Sequence, residues 1–456
     1  MKLLLCTLNA RYTHFSLALR YLRAALSDSG HEVILREYLI NQNLHQIVLD
    51  LAMQQPDVLL CSVYIWNSRQ FAALLPDVRS LLPGLRIIVG GPEVAWQPQD
   101  WLHKVPQTDL VVSGPGESAM AALEAAGWDC LCWPDKVLPA PALDFRALVQ
   151  PYAAADFADF VTRYVYYESS RGCPFSCSYC LSSNEAHRLQ LKDSATVCSE
   201  LDELLRHQPR LIKFVDRTFN ADAVRSRQIW SHLIAKHGSG ATRFHFEIHP
   251  ALLEAEDFAL LAAIPSGLFQ FEIGVQTIHE RSRKEIRRTG NWVREQEAIR
   301  SLVALKTIHI HVDLIAGLPG EGIADIAESF NALCSLSADH VQFGFLKVLP
   351  GTLMAARKEQ YGLVHQLEAP YEILRTATLS EKDLSFLKQI DELLDSVGNS
   401  HHWDALINAA AARIGSHFEA YKNLLEYCIG QGFDIRTRNR EKLGPLLAGW
   451  LQLIPD

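Results

Sequence analysis

Three cysteines stand close together in the middle of the chain, and their spacing is typical of metal ligands. Three and then two residues separate Cys173, Cys177 and Cys180. Thiolates are the usual ligands of iron–sulfur clusters, and a four-iron cluster on three cysteines leaves one iron open to another ligand. A zinc site would need a fourth ligand from a second CxxC pair, and a redox CxxC pair would leave Cys173 without a role. The spacing therefore predicts a [4Fe-4S] site, whereas the other close pair, Cys130 and Cys132, is predicted to be core.

Segments of strictly alternating polarity follow these cysteines and predict strands with one polar face. Residues 243–249, 269–276 and 309–314 have the two-residue period of a β-strand. Long helical patterns separate them, which is typical of crossovers between parallel strands. A parallel sheet with helices on its apolar side predicts an open (β/α) barrel with a polar interior, large enough for a substrate and a cofactor. We predict catalytic roles there for Glu247, His311 and Asp313.

The first third of the chain predicts a second parallel sheet with its own ligand site. Strand patterns at 2–6, 31–36, 57–62, 85–89 and 109–113 alternate with helical patterns. Such alternation is typical of a flavodoxin-like, Rossmann-type sheet, which binds ligands beyond the carboxyl ends of its strands. Small residues in the turns let a ligand approach the backbone, and we predict a site formed by Ser62, Gly90, Gly91, Ser113, Gly114 and Gly116. The alternative is that the glycines only make tight turns. No GxGxxG follows the first strand, which argues against a dinucleotide.

These patterns divide the chain into a sheet domain at 1–135, a linker at 136–163, a partial (β/α)6 barrel at 164–365 and a helical extension at 366–456. Residues 133–162 have little periodicity and contain Pro134, Pro139, Pro141 and Pro151, which indicates a linker. Helical patterns at 381–397, 403–414 and 420–431 indicate the extension.

Composition restricts the class of protein. Forty-three basic and 52 acidic residues give a net charge of −9, which argues against general nucleic-acid binding. Apolar residues make up 48% of the chain, as in globular proteins. No run of 18 apolar residues exists, so we expect no membrane span. We expect a cytoplasmic protein whose ten cysteines are not a disulfide framework.

The CxxxCxxC run, with Tyr179 before its last cysteine, resembles the signature of the radical S-adenosylmethionine superfamily. Further similar segments are Phe214–Asn220, Glu272–Thr277, Asp313–Glu321 and Leu349–Thr352. With the first domain, they resemble the subgroup that carries an N-terminal cobalamin-binding domain. The resemblance implies a [4Fe-4S] cluster on the three cysteines, S-adenosylmethionine on the open iron and cobalamin in the first domain. It also implies an electron donor such as flavodoxin or ferredoxin.

The resemblance further implies an activity. Members reductively cleave S-adenosylmethionine to a 5′-deoxyadenosyl radical, and we expect methylation of an unactivated carbon of a small-molecule or peptide substrate. The alternatives are ring closure or rearrangement, methylthiolation of RNA or protein, and a non-catalytic iron–sulfur or cobalamin sensor. Methylthiolating relatives carry three further cysteines in the first domain, yet the turn at Gly90 and Gly91 holds none. A sensor would not need a polar barrel interior.

Some positions depart from the pattern of the superfamily. Many relatives have Gly-Gly-Glu after the second barrel strand, where this chain has Val215, Asp216 and Arg217. Asp216 is predicted to replace that glutamate as acceptor for the ammonium group of S-adenosylmethionine.

Two further residues of the barrel and one of the first domain have predicted cofactor contacts. Glu272 and Gln276 are predicted to contact the adenosine ribose or the substrate. For Glu272, the alternative is an ion pair with Arg217 or Arg243. His14 lies in the loop after the first strand, where it either ligates cobalt from below or has a packing role.

Overall fold

The structure is a computed structural model that describes residues 1–183, 189–238 and 240–455. Its first domain is a parallel six-stranded sheet in the order β2-β1-β3-β4-β5-β6. The strands are β1 (Lys2–Asn9), β2 (Glu32–Leu39), β3 (Val58–Ser62), β4 (Arg86–Gly90), β5 (Leu110–Ser113) and β6 (Val137–Pro139). The helices are α1 (Leu17–Ala25), α2 (Leu44–Met53), α3 (Ser68–Leu81), α4 (Pro92–Ala95), α5 (Pro98–Lys104) and α6 (Gly116–Ala125). Buried apolar side chains cover both faces of the sheet, so the predicted flavodoxin-like sheet is confirmed.

The sheet extends into the segment that was expected to be linker. Val137–Pro139 pairs in parallel with β5 as an edge strand, although we predicted a linker from residue 136. The proline that ends this three-residue strand has no N–H for a ladder, which is why the pattern indicated a loop. Beyond it, the segment has 3-10 turns at Phe145–Ala147 and Ala154–Val161.

The second domain is a parallel six-stranded sheet in the order β7-β10-β11-β12-β13-β14. Its strands are β7 (Val165–Tyr167), β10 (Leu211–Phe214), β11 (Arg243–Glu247), β12 (Phe269–Gln276), β13 (His309–Ala316) and β14 (His340–Phe345), and a small antiparallel pair joins β8 (Ser170–Arg171) to β9 (Gln190–Leu191). The helices are α7 (Ser194–Leu205), α8 (Ala223–His237), α9 (Ala255–Leu261), α10 (Glu280–Glu285), α11 (Trp292–Leu305), α12 (Ile323–Cys334) and α13 (Leu353–Ala356). Along β12 and β13 buried apolar side chains alternate with partly accessible residues, which are polar except for Gly274 and Ile315, and His309 at the start of β13 is exposed. The predicted partial (β/α)6 barrel with a polar interior is therefore confirmed.

The last part of the chain is helical, as predicted, and it also contains a short hairpin. The hairpin joins β15 (Val364–His365) to β16 (Ile373–Arg375), and the helices are α14 (Glu381–Ser396), α15 (Asp404–Ile414), α16 (His417–Gly430) and α17 (Arg440–Gln452). The side chain of Asn399 accepts from the backbone N–H of Val341 and donates to its carbonyl, both at 3.0 Å. The extension therefore covers the free edge of β14. Among the described residues, no helix is long and apolar enough to cross a membrane.

A buried ion network attaches the linker to the first domain. Arg20 on α1 pairs with Glu37 on β2 at 2.9 Å and with Asp156 of the linker at 3.0 Å, and all three side chains are less than 10% exposed. Arg23 also pairs with Asp156. Arg163, at the end of the linker, lies 3.4 Å from Glu37. The network therefore fixes the path of the chain between the two sheets.

We predict that Arg20→Ala lowers the free energy of unfolding of the first domain by about 3–5 kcal/mol, because it leaves two buried carboxylates without their main partner. Urea denaturation of the full chain measures this loss. Arg206→Ala is the matched control, since Arg206 pairs with Glu203 in an exposed i,i+3 pair and should change stability by less than about 1 kcal/mol. Equal losses in the two variants would contradict the prediction.

Candidate active site

The three cysteines lie in one loop, residues 172–180, which we call the cysteine loop. It follows β8 at the carboxyl end of the first barrel strand. Gly172 has φ +90°, a left-handed conformation that favours glycine, and it turns the chain directly before Cys173. The backbone N–H of Ser178 donates to the carbonyl of Ile286 at 2.9 Å, and the N–H of Met354 donates to the carbonyl of Ser178 at 2.8 Å. Two other parts of the barrel therefore hold the cysteine loop at its mouth.

The thiols of the cysteine loop form one electrostatic group. Burial raises the pKa of the Cys173 thiol, and the nearby Cys180 and Cys177 raise it further. Glu247, followed by Cys180 and Cys173, raises the pKa of Arg217, and Arg288 lies close enough to interact with Cys177. A metal centre relieves the mutual repulsion of three thiolates, and nearby arginines balance an anionic cluster. The residues present therefore fit a [4Fe-4S] cluster, and sequence reasoning missed the two arginines, which become neighbours only in the folded barrel.

Asp216 holds the backbone in front of the cysteine loop. Its carboxylate is fully buried and accepts hydrogen bonds from the Ser169 N–H at 3.0 Å, the Ser169 hydroxyl at 2.6 Å and the Ser170 hydroxyl at 2.5 Å. Burial raises the pKa of Asp216, whereas these serines lower it. Because its oxygens accept these three hydrogen bonds, Asp216 positions the backbone before the cysteine loop, and its predicted contact with the ammonium group of S-adenosylmethionine stays a prediction.

Glu272 lies inside the barrel, as its strand pattern predicted. His245 Nε2 lies 2.9 Å from its carboxylate, and this hydrogen bond lowers the pKa of Glu272. The alternative of an ion pair with Arg217 or Arg243 is not what the structure shows. Glu272 pairs with His245, and Arg217 lies 3.7 Å from Glu247 instead. Part of the Glu272 side chain stays accessible for a ligand.

The three predicted catalytic residues all face the barrel interior, and burial changes their protonation. Burial raises the pKa of Glu247 to about 7, and it raises that of Asp313 well above the usual range. Burial and the neighbouring His340 and His309 lower the pKa of His311 to about 3. Near neutral pH the interior therefore offers a neutral imidazole and two carboxyl groups that can retain a proton. Their catalytic roles stay a prediction.

Gln276 ends β12 with φ +70° and folds back over Gly274. A Cβ at Gly274 would lie 2.1 Å from Gln276 Nε2, so the Gln276 side chain fills the space beside this glycine. Gln276 Oε1 is buried and has no hydrogen-bond partner among the described residues. An acceptor is thus left for a ligand, and the predicted contact with a ribose or a substrate stays a prediction.

A polar cavity of about 360 Å³ opens at the opposite end of the barrel, beside the helical extension. Trp403, Arg438 and Arg440 of the extension line it together with His340 of β14. The ring of His340 stacks on His311 with 4.6 Å between centroids. The polar character of the interior therefore continues towards the foot of the barrel.

The small residues predicted to bind a ligand meet at the carboxyl ends of β3, β4 and β5. They surround a cavity of about 110 Å³, which we call the sheet-end cavity, and its lining includes Ser62, Gly90, Gly91, Gly114 and Gly116. A Cβ at Gly91 would lie 2.4 Å from the carbonyl oxygen of Val63, so this turn requires glycine. Small residues and exposed backbone fit the close approach of a large ligand.

The side chains of Ser113 and His14 contact other protein groups instead of the ligand site predicted for them. The hydroxyl of Ser113 donates to the carbonyl of Ala95 at 2.8 Å, and Ser113 does not line the sheet-end cavity. His14 Nδ1 lies 2.5 Å from the hydroxyl of Tyr166 on β7, with the two rings stacked. His14 therefore joins the first domain to the barrel, as the alternative of a packing role predicted.

An ion pair connects the cysteine loop to the sheet-end cavity. Arg171, directly before Gly172, lies 2.8 Å from Glu117 of α6 and 2.8 Å from Glu168. Glu117 also lines the sheet-end cavity. Sequence reasoning missed this pair, because nothing in either motif indicates its partner 54 residues away.

Comparisons with known proteins agree with this arrangement. Residues 4–124 match the B12 binding domain family, residues 167–333 match the radical SAM superfamily, and residues 359–453 match a family described as a protein of unknown function (DUF4080). Among curated proteins, the chain is 22% identical to the cobalamin-dependent radical SAM methyltransferase TokK of Streptomyces tokunonensis, over 68% of this chain and 50% of that protein.

A second curated relative is the 2-(S-pantetheinyl)-carbapenam-3-carboxylate methyltransferase of Streptantibioticus cattleyicolor, which is 28% identical over 36% of this chain and 28% of that protein. The chain thus spans at most half the length of these two relatives. The solved structure of the cobalamin-dependent S-adenosylmethionine radical enzyme OxsB matches with a TM-score of 0.71 and 16% identity, over 99% of this chain and 79% of that one. This likeness establishes the fold.

The acidic interior gives a prediction on stability and pH. The raised pKa of Glu247, about 7, means that its contribution to stability is complete below about pH 4, the unfolded-state pKa, and is lost as the pH rises through about 7. Glu247→Gln removes this titration. The melting temperature of the variant minus that of the wild type should therefore rise by a few degrees from about pH 5 to about pH 8. Glu297→Gln, a surface substitution on α11, should show no such gain, and a constant difference for Glu247→Gln would contradict the prediction.

Asp216→Asn tests whether this residue positions the cysteine loop or contacts a cofactor. The amide has one acceptor oxygen instead of two, so it cannot keep all three hydrogen bonds from Ser169 and Ser170. We expect iron affinity after anaerobic reconstitution to fall roughly tenfold, with unchanged S-adenosylmethionine affinity in the iron-loaded fraction. Normal iron loading with weakened S-adenosylmethionine binding would instead support the predicted contact of Asp216 with S-adenosylmethionine.

Proposed function

We propose that the chain is a cobalamin-dependent methyltransferase of the radical S-adenosylmethionine superfamily, because residues 4–124 match the B12 binding domain family and residues 167–333 match the radical SAM superfamily. Its substrate would be a small molecule or a peptide, methylated at an unactivated carbon. One observation carries the proposal. The three thiols lie in one loop at the barrel mouth, and Arg171, directly before that loop, pairs with Glu117, which lines the sheet-end cavity. A cluster site in the cysteine loop and a cobalamin site in the sheet-end cavity, both next to the barrel interior, suit a reaction that uses both cofactors.

The chain would hold each group with residues suited to it. Cys173, Cys177 and Cys180 would ligate three irons of the cluster, and the turns around the sheet-end cavity would hold cobalamin by backbone and small side chains. When bound, the cluster and S-adenosylmethionine supply a hydrogen-abstracting radical and cobalamin supplies the methyl group. The protein orients these groups and excludes water from the interior.

The polar interior supports a substrate with hydrogen-bonding groups. Glu247, with its pKa of about 7, can donate or accept a proton at neutral pH. Asp313 has an oxygen without a hydrogen-bond partner among the described residues, and His311 is neutral and can accept a hydrogen bond. We assign these three residues to binding the substrate and to orienting its reacting carbon, whose hydrogen atom would pass to the 5′-deoxyadenosyl radical before the methyl group is added.

The reaction also requires one-electron reduction of the cluster. Arg217 lies beside the thiols and its side chain is 55% exposed. A cationic side chain there suits an acidic electron carrier such as a flavodoxin or a ferredoxin, since complementary charge steers encounter.

Formation of 5′-deoxyadenosine by the reconstituted protein tests the radical step. With S-adenosylmethionine and a reductant, the wild type should release 5′-deoxyadenosine, and Cys177→Ala should lose at least about a hundredfold of that rate because the cluster loses a ligand. Cys132→Ala is the matched control and should keep the rate, because Cys132 is exposed in the first domain and not in the core as predicted. A wild type that forms no 5′-deoxyadenosine, or an active Cys177→Ala protein, would refute the radical assignment.

Methyl transfer needs a separate experiment. Absorbance and mass spectrometry of the purified protein should detect bound cobalamin, and products should gain the mass of one methyl group. Release of 5′-deoxyadenosine from a protein that binds no cobalamin would refute methyl transfer from this cofactor. Products without added mass would favour ring closure or rearrangement instead.

A further inference from the structure

A short hairpin of the extension touches both halves of the site. The tail hairpin, residues 364–375, lies in the segment that matches the family of unknown function. It is bound to the chain after β14 by two backbone hydrogen bonds, from Ile373 to Leu346 at 3.0 Å and from Val348 to Tyr371 at 2.9 Å. The tail hairpin thus continues the barrel wall beyond its last strand.

The packing of the tail hairpin leaves no space at the carboxyl end of β13. Gly317 has φ +90°, and a Cβ there would lie 1.9 Å from Ile373 Cδ1. Slightly further along, the hydroxyl of Thr378 donates to the carbonyl of Glu321 at 2.6 Å. The tail hairpin is therefore seated on the same barrel mouth that carries the cysteine loop.

From this seat, Tyr371 reaches the first domain. Its hydroxyl donates to Glu93 Oε1 at 2.6 Å. Tyr371 has φ +58°, a left-handed conformation that is rare for an aromatic residue and that persists only where its surroundings determine it. Strained residues of this kind often have a functional position.

Glu93 belongs to the turn that forms one wall of the sheet-end cavity. It stands two residues after Gly91, which lies in close contact with the backbone of Val63. The N–H of Glu93 donates to the carbonyl of Val63 at 3.4 Å. On the other side of α4, a Cβ at Gly351 would lie 2.6 Å from the ring of Trp96. Residues at both ends of α4 therefore contact the barrel and its extension: Glu93 bonds to Tyr371 of the extension, and Trp96 packs on Gly351 of the barrel.

We propose that the tail hairpin is a clamp that fixes the turn at Gly90 and Gly91 relative to the barrel mouth, with Tyr371 and Glu93 as positioning residues. In this role, the extension would keep the distance between the sheet-end cavity and the cysteine loop constant. Group transfer between two bound cofactors and a substrate depends steeply on such a separation, since displacements near 1 Å can lower a rate roughly a hundredfold. The catalytic consequence rests on the proposed function, whereas the clamp itself is a statement about the folded chain.

Tyr371→Phe tests the clamp without any cofactor, since it removes the hydroxyl and keeps the ring. In the full-length protein, hydrogen–deuterium exchange of the amides at 93–95, which bond to Val63 and Gly91, should become roughly three- to tenfold faster. Tyr361→Phe is the matched control, because the Tyr361 hydroxyl donates to Glu285 within the barrel at 3.0 Å. Unchanged exchange in Tyr371→Phe, or an equal change in both variants, would overturn the proposal.

Variants of Glu93 separate a direct contact from a general loss of stability. Glu93→Gln keeps an acceptor for the Tyr371 hydroxyl and should retain the exchange rates of the wild type. Glu93→Ala should raise the exchange rates at least as much as Tyr371→Phe, because it also loses its hydrogen bond with Ser68. The double variant should add little to Glu93→Ala, because the bond that Tyr371→Phe removes is already lost. Additive effects of the two substitutions would contradict a shared contact.

The loaded protein supplies the functional readout. Tyr371→Phe should bind cobalamin roughly three- to tenfold more weakly and should give less methylated product per 5′-deoxyadenosine, with unchanged iron content. A wild type without bound cobalamin would refute the proposed function, and the exchange experiment would still decide on the clamp. Normal cobalamin affinity together with a normal product ratio would refute the positioning role.

Discussion

Arg171 stands two residues before Cys173 and pairs with Glu117 of the first domain at 2.8 Å, while Glu168 holds the other side of its guanidinium at 2.8 Å. The guanidinium also lies over the ring of Phe145, 4.8 Å from its centroid. Loss of one partner from such a partly buried network leaves a charge without compensation. The position of the cysteine loop is therefore tied to the position of α6, and with it to the sheet-end cavity. Two sites on separate sheets are held together by contacts that neither sheet has alone.

Local spacing explains which parts of this arrangement could be predicted from the sequence. The cysteines are near neighbours along the chain, so their common role is visible without a fold. The alternation in β12 and β13 is also local, and it predicted both the strands and their polar face. In contrast, the partner of Asp216 lies 47 residues away and that of Glu117 lies 54 residues away. Such pairs are set by the path of the folded chain, so the sequence alone indicated no partner within the chain for Asp216 or for Glu117.

Short elements were missed for a different reason. The edge strand β6 has three residues and the tail hairpin has strands of two and three, with prolines at or near both. These lengths are too small for a period to be recognised, and their stability comes from packing against existing strands. The hairpin depends on a glycine elsewhere, because Gly317 provides the space that Ile373 fills, and Gly351 likewise provides space for Trp96 of the first domain. A glycine indicates that space is needed, but the residue that fills it is known only from the fold.

A parallel sheet of six strands that does not close has two free edges, and free edges invite pairing with other chains. At one edge, the N–H of Tyr164, next to β7, donates to the carbonyl of Thr13 in the first domain at 2.7 Å. At the other edge, Asn399 covers Val341, and the tail hairpin continues the pairing after β14. The first domain and the extension therefore complete the barrel from opposite sides. Since the same two parts carry the sheet-end cavity and the clamp on its turn, the contacts that cover the edges also determine where the two proposed cofactor sites face each other.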